Sequence, residues 1–216
     1  MRGKFIRSLA KWAFRILAIT VIVAVGLVFA DSLHERKCRG VASHKGKSFE
    51  FMGERLTFLN TGQETKGEVL EIEVSFRPTA ETNILKWQDG HVHPHQEERF
   101  KVISGAVRFR VGDREEVLTA GQSISGPPNV YHTWNSADGK EVKMLAELRP
   151  ALNIDAAAAS FVNAGSMEGK MSLLQAVVIM SEYDGLAYPS KTRALLMQAL
   201  VKVLAPIGRL VGYKAC

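Results

Sequence analysis

Cysteine is scarce. Cys38 and Cys216 are the only two in 216 residues, too few for a disulfide framework. They could pair in an oxidising compartment, but nothing else in the sequence requires it. Cys38 lacks the small apolar run of a lipobox before it, and the ending KAC is not a prenylation box. No internal repeat longer than a hairpin is visible. Acidic residues are nearly missing from the first 47 positions, which hold ten Lys/Arg against Asp31 and Glu35. Of the chain's 28 basic and 22 acidic residues, that leaves 18 and 20 for the remainder, a net of −2. The formal charge of +6 therefore belongs to the N-terminus. A nucleic-acid partner, which needs a basic face on the folded part, loses its support.

Long apolar runs are also rare, with one exception. Residues 16–30, ILAITVIVAVGLVFA, carry no charge over 15 residues. As a helix this run spans about 22 Å, short of the ~30 Å hydrocarbon core. Trp12, Ala13 and Phe14 extend it past Arg15, whose long side chain can snorkel to the headgroups. Two readings stay open. One is an uncleaved single-pass anchor that meets the membrane through residues 12–30. The other is a signal peptide with a basic start and a cleavage signal at Val28-Phe29-Ala30. The clustered N-terminal positive charge favours the N-terminus inside, which puts the folded part on the outer side of the cytoplasmic membrane. Cleavage would make it secreted or periplasmic. Residues 31–47 are polar, basic and aperiodic, and read as a linker.

From residue 48 to about 150 the pattern changes to short strands separated by turns. Candidate strands cover 55–60, 69–76, 98–104, 106–111, 115–119, 122–125, 131–134 and 141–148, punctuated by Gly105, Gly112-Asp113, Gly121 and Pro127-Pro128-Asn129. Many short strands with regular turns suit a closed barrel without exposed edges. His91 and His93, two apart, point to the same face of a strand. With Glu98 and His132 they offer three imidazoles and a carboxylate, a donor set suited to a divalent first-row metal such as iron, manganese, nickel or zinc.

The spacing is more specific than the donor count. It reads His-x-His, four residues, Glu98, six residues, Gly105; then, after 15 residues, Gly121, five residues, Pro127, and His132 five positions on. This resembles the two motifs of the cupin superfamily, most closely over residues 88–136 and more loosely over 55–150. The run HVHPHQEERF is similar to that of small single-domain bacterial cupins. The resemblance implies a mainly β fold, a double-stranded β-helix or antiparallel barrel, with His91, His93, Glu98 and His132 as metal ligands. It departs from the family pattern at Leu85 and Asn129, where glycines are usual. Asn tolerates positive φ, so the second turn can survive. A register using His93 and His95 remains an alternative, with His91 as the spare. In the main register His95 and Glu97 are solvated neighbours.

Strand parity extends the site. If Glu98 points inward, so do Phe100 and Val102; if His132 does, so does Trp134, with Tyr131 and Thr133 facing outward. Phe100, Val102 and Trp134 are then candidate walls of a small-molecule pocket, or plain core. After Pro150 the composition turns helical. Residues 173–183 are apolar on nearly every side. Residues 191–205 place Leu195, Leu196, Ala199, Leu200, Val203 and Leu204 on one stripe, with Pro206 as the stop. That stripe is expected to pack on the barrel or on a second copy in a homodimer, with a membrane surface as the third option because the polar face is basic. The chain thus divides into a membrane or signal segment (1–30), a linker (31–47), a barrel (48–150) and a helical extension (151–216). The resemblance implies a metal-dependent enzyme of dioxygenase, isomerase or decarboxylase type acting on a small molecule. A non-catalytic ligand-binding or sensory module is the alternative, and a structural role through the helices is the third.

Overall fold

The computed structural model describes residues 11–23, 25–26, 43–51, 53–78, 90–164, 171–183, 186–188 and 191–215. Leu85, both cysteines and most of the 31–47 linker lie outside the described residues.

Nine strands are described: β1 (Ser48–Phe51), β2 (Glu54–Asn60), β3 (Leu70–Phe76), β4 (Glu97–Ser104), β5 (Ala106–Val111), β6 (Arg114–Thr119), β7 (Ser123–Gly126), β8 (His132–Ser136) and β9 (Val142–Arg149). They form two antiparallel sheets, ordered β1-β2-β3-β9-β4-β7 and β6-β5-β8. The alternation that predicts these strands also decides what they bury. Leu70, Ile72, Val74 and Phe76 of β3 and Val142, Met144, Ala146 and Leu148 of β9 point to one side. Phe58, Phe100, Val107, Phe109 and Leu118 from both sheets meet them in a single core cluster. Gly105 makes the turn from β4 to β5 at φ +86°, where a Cβ would lie 2.7 Å from the Glu141 carbonyl oxygen. Asn129 adopts φ 60°, so the glycine-less turn is made as its chemistry allows.

Three helices follow: α1 (Ile154–Asn163), α2 (Leu173–Glu182) and α3 (Lys191–Leu210). His44 Nδ1 lies 3.3 Å from Asp155 Oδ2 and ties α1 to the start of the sheets. The Ser160 and Tyr183 hydroxyls, 2.6 Å apart, link α1 to the end of α2. Two expectations for α3 need correction. Pro206 lies inside the helix and does not end it. The stripe does not pack on the barrel, the first of its expected places, and is exposed in the single chain: Leu195 is 71 % and Leu196 66 % accessible, with Leu200, Val203 and Ala199 also exposed. Only Leu204 of that set is partly buried, against Val177 and its neighbours. The buried face is instead Val201, Ala205 and Gly208. The reason is closeness of approach. A Cβ on Gly208 would stand 2.5 Å from Val178 Cγ2 and 3.1 Å from the Leu174 carbonyl oxygen, so α2 docks against small residues. That docking carries the helix past the hydrogen bond Pro206 cannot make.

Toward the N-terminus, residues 11–23 and 25–26 are helical, and Trp12, Phe14, Ile16, Leu17, Ile19 and Ile22 are exposed. The rest of the apolar run, 24 and 27–30, lies outside the described residues. Among the described residues no helix is long and apolar enough to cross a membrane.

Candidate metal centre

His91 and Val92 form a short extended stretch held from both sides. The His91 and His132 amides each donate to the other's carbonyl, both at 2.9 Å. Val92 donates to the Tyr188 carbonyl at 2.8 Å and accepts from the Tyr188 amide at 3.0 Å. This pairing turns Val92 into an apolar cluster with Tyr131, Met180 and Met197. It turns His91 and His93, on the opposite parity, toward Glu98 at the start of β4 and His132 at the start of β8. The helical extension therefore supplies the outer neighbour of the His-x-His segment.

Four side chains converge there, with one candidate ligand atom from each, all within 4.8 Å of one another. Glu98 Oε2 is the hub: His132 Nε2 lies 2.9 Å away, His93 Nε2 3.1 Å and His91 Nε2 3.3 Å. Glu98, His93 and His132 are buried, and His91 is half-buried. His95 and Glu97 are exposed and stand outside the cluster, so the structure assembles the His91/His93 register.

The electrostatics follow from this crowding. Burial penalises the Glu98 carboxylate, but the surrounding imidazoles, by charge and hydrogen bonding, hold its pKa well below the usual range. Burial also opposes a charge on His132. The Glu98 carboxylate outweighs it, helped by the Val130 carbonyl, and the His132 pKa is raised. Its Nδ1 lies 3.0 Å from that carbonyl oxygen and its Nε2 faces the carboxylate, so both ring nitrogens meet acceptors. Burial pushes His91 down to about 4 against the pull of Glu98.

The apolar candidates sit beside the cluster. Phe100 is fully buried, its ring centroid 5.8 Å from His132 and 4.9 Å from Trp134. Trp134 is half-buried, edge-on to His91 at 5.4 Å and near-parallel to His132. Val102 lies two residues beyond Phe100 in the core. Thr133, expected to face outward, is 2 % exposed. Tyr131, just before β8, is likewise partly covered, packed with Val92 and with Tyr188 and Met180 of the helical extension.

Sequence reasoning missed three contributors. Glu54 accepts the Trp134 indole N–H at 2.8 Å across 80 residues of sequence. Tyr188 braces Val92. Gly126 lets β7 pass behind His132, where a Cβ would sit 2.8 Å from its Nδ1. Only the last had a local signal, a glycine immediately before the Pro127-Pro128 turn.

Residues 87–146 match the cupin domain family model. The matched stretch contains all four residues of the cluster. No curated protein sequence matches the chain. Among solved structures the chain is similar to KdgF from a Halomonas species, at 13 % identity and TM-score 0.40 over 48 % of this chain and 87 % of that one. It is similar to an RmlC-like cupin from Shewanella frigidimarina, at 21 % identity and TM-score 0.40 over 51 % and 93 %. It is also similar to Pac13, described as a nucleoside dehydratase and solved from Streptomyces with uridine, at 16 % identity and TM-score 0.40 over 53 % and 86 %.

Proposed function

We propose that His91, His93, Glu98 and His132 bind one divalent transition metal, and that the chain is a metal-dependent cupin-type enzyme acting on a small, partly apolar molecule. The observation that carries this is the convergence of three imidazole Nε2 atoms on one carboxylate oxygen at 2.9, 3.1 and 3.3 Å. A metal holding such donors at about 2.1 Å sets neighbouring ligand atoms about 3 Å apart, so the spacing fits a shared cation. The donor set, neutral imidazoles and one carboxylate, suits iron, manganese, nickel or zinc. Bound there, the metal would supply Lewis-acid or redox chemistry at its open positions.

The chain's own residues have separate tasks in this reading. The Val130 carbonyl fixes the His132 ring through Nδ1, the kind of outer contact that orients a ligand. His91, the most exposed of the four, marks the open side. Phe100 and Trp134 form an apolar wall next to it, and Glu54 holds the indole in place. Val102 backs Phe100 from the core. The apolar run at 16–30 anchors the chain in the cytoplasmic membrane with the β-sheets outside; carbonate extraction that releases intact protein, or a mature N-terminus at Asp31, would refute the anchor.

The test of the site is metal content and the metal-dependent rise in melting temperature of the purified full chain. His91→Ala/His93→Ala abolishes both, while His95→Ala changes neither. A chain that takes up none of the four metals would leave a non-catalytic ligand-binding module as the reading.

A further inference from the structure

The face of α3 turned away from α2 has no partner among the described residues. Leu195, Leu196, Leu200, Val203 and Leu210 are 71, 66, 37, 40 and 76 % exposed. Leu196, Leu200, Val203 and Leu210 follow one another by four, three and seven residues, so they run down one side of the helix. The opposite side, Val201, Ala205 and Gly208, is already used against α2.

Charge says what fits this face. From residue 185 to 216 there is no Asp or Glu, while Lys191, Arg193, Lys202, Arg209 and Lys214 are basic. Arg209 is committed to Ser181 and Glu182, at 2.6 and 2.9 Å, whereas Lys202 and Lys214 are exposed. A second copy of the chain would bring the same acid-free, basic face, with no carboxylate to meet Lys202. An anionic lipid surface supplies the missing negative charge and also takes the leucines. An apolar stripe on a basic helix, too polar overall to cross a bilayer, is the pattern of a helix that lies in the interface. The described N-terminal helix offers similar chemistry, exposed Leu17 and Val21 following Lys11 and Arg15 with no acid in the helix.

We infer that α3 is an in-plane membrane helix that seats the C-terminal end of the protein on an anionic lipid surface. This does not depend on metal binding, nor on insertion of residues 16–30.

The test uses the full chain carrying Leu17→Asp/Val21→Asp, so that the N-terminal run cannot hold it on lipid. Co-sedimentation is measured with phosphatidylcholine vesicles and with mixed phosphatidylcholine–phosphatidylglycerol vesicles. Binding is expected on the anionic vesicles, to weaken with salt, and to be much poorer on phosphatidylcholine alone. Adding Leu195→Glu/Leu196→Glu lowers it by about tenfold or more. These leucines are about two-thirds or more exposed, so the urea transition stays in place. Lys202→Glu, which leaves the leucines untouched, weakens anionic binding as well. Equal sedimentation with and without the leucine substitutions, or none on anionic vesicles, overturns the inference. So does a dimer in sedimentation velocity that Leu195→Glu/Leu196→Glu dissociates, because then a second copy covers the face.

Discussion

Glu98→Gln should destabilise the metal-free protein strongly in mild acid and weakly in mild base. The side chain keeps its shape and loses its charge at the point where three imidazoles converge. The His132 pKa is raised in the folded state, so the stability it contributes is fully present below its unfolded value near 6.5 and is lost as pH rises through the folded value. The Glu98 pKa is depressed, so its contribution is present above about 4.5 and is lost only as pH falls through a much lower folded value. Between about pH 5.5, where the unfolded imidazole is mostly protonated, and a basic pH above the raised folded value, the change reports His132. At the acid end, Gln leaves a buried imidazolium facing a neutral amide. Breaking a buried pair from one side costs about 3–5 kcal/mol. His132 can escape by releasing its proton, which costs an unperturbed imidazole about 1.4 kcal/mol one pH unit below its pKa. That relief puts the loss near the lower end, about 3 kcal/mol. At the basic end, His132 is neutral in both proteins, and the difference shrinks to about 1 kcal/mol, an ordinary hydrogen bond. Urea unfolding with a chelator present measures both ends. An equal loss at the two pH values, or a larger one in base, would show that the carboxylate is not paired with a charged His132.

Two further outcomes follow from the site's surroundings. Gly126→Ala places a Cβ 2.8 Å from His132 Nδ1; it should cost about 1–3 kcal/mol as overpacking and weaken metal uptake, and unchanged uptake would mean the ring has room to move. Metal should slow amide exchange at Val92 and Tyr188, which share two backbone hydrogen bonds beside the ligand histidines; exchange indifferent to bound metal would uncouple the helical extension from the site.

Period-two alternation made the strands legible from sequence, because a residue between two sheets must alternate with one facing out. Leu70 to Phe76 shows this without exception. The cluster was legible for a related reason. His91 and His93 share a face by parity. Phe100 and Val102 follow Glu98 inward on β4, whose burial alternates along its first six residues. Spacing favoured the His91 register and left the His95 one open, and the structure leaves His95 at the surface.

Local pattern fails where two parts of the chain compete for one surface. Both sides of α3 are apolar enough to pack, and the sequence marks the leucine side as the better one. α2 took the side with Ala205 and Gly208, because backbone approach, and not side-chain hydrophobicity, limits how closely two helices meet. Thr133 is outward by parity yet buried. The indole N–H of Trp134 ends on Glu54, and the outer edge of Val92 ends on Tyr188; neither partner is near in sequence. Alternation and spacing are local properties of a chain, so the sequence alone determined the strands, their inward faces and the four converging donors. Coverage is a property of whichever distant segment arrives, so only the tertiary structure decided what braces the donors, which face of α3 is spent, and which is left for something outside the fold.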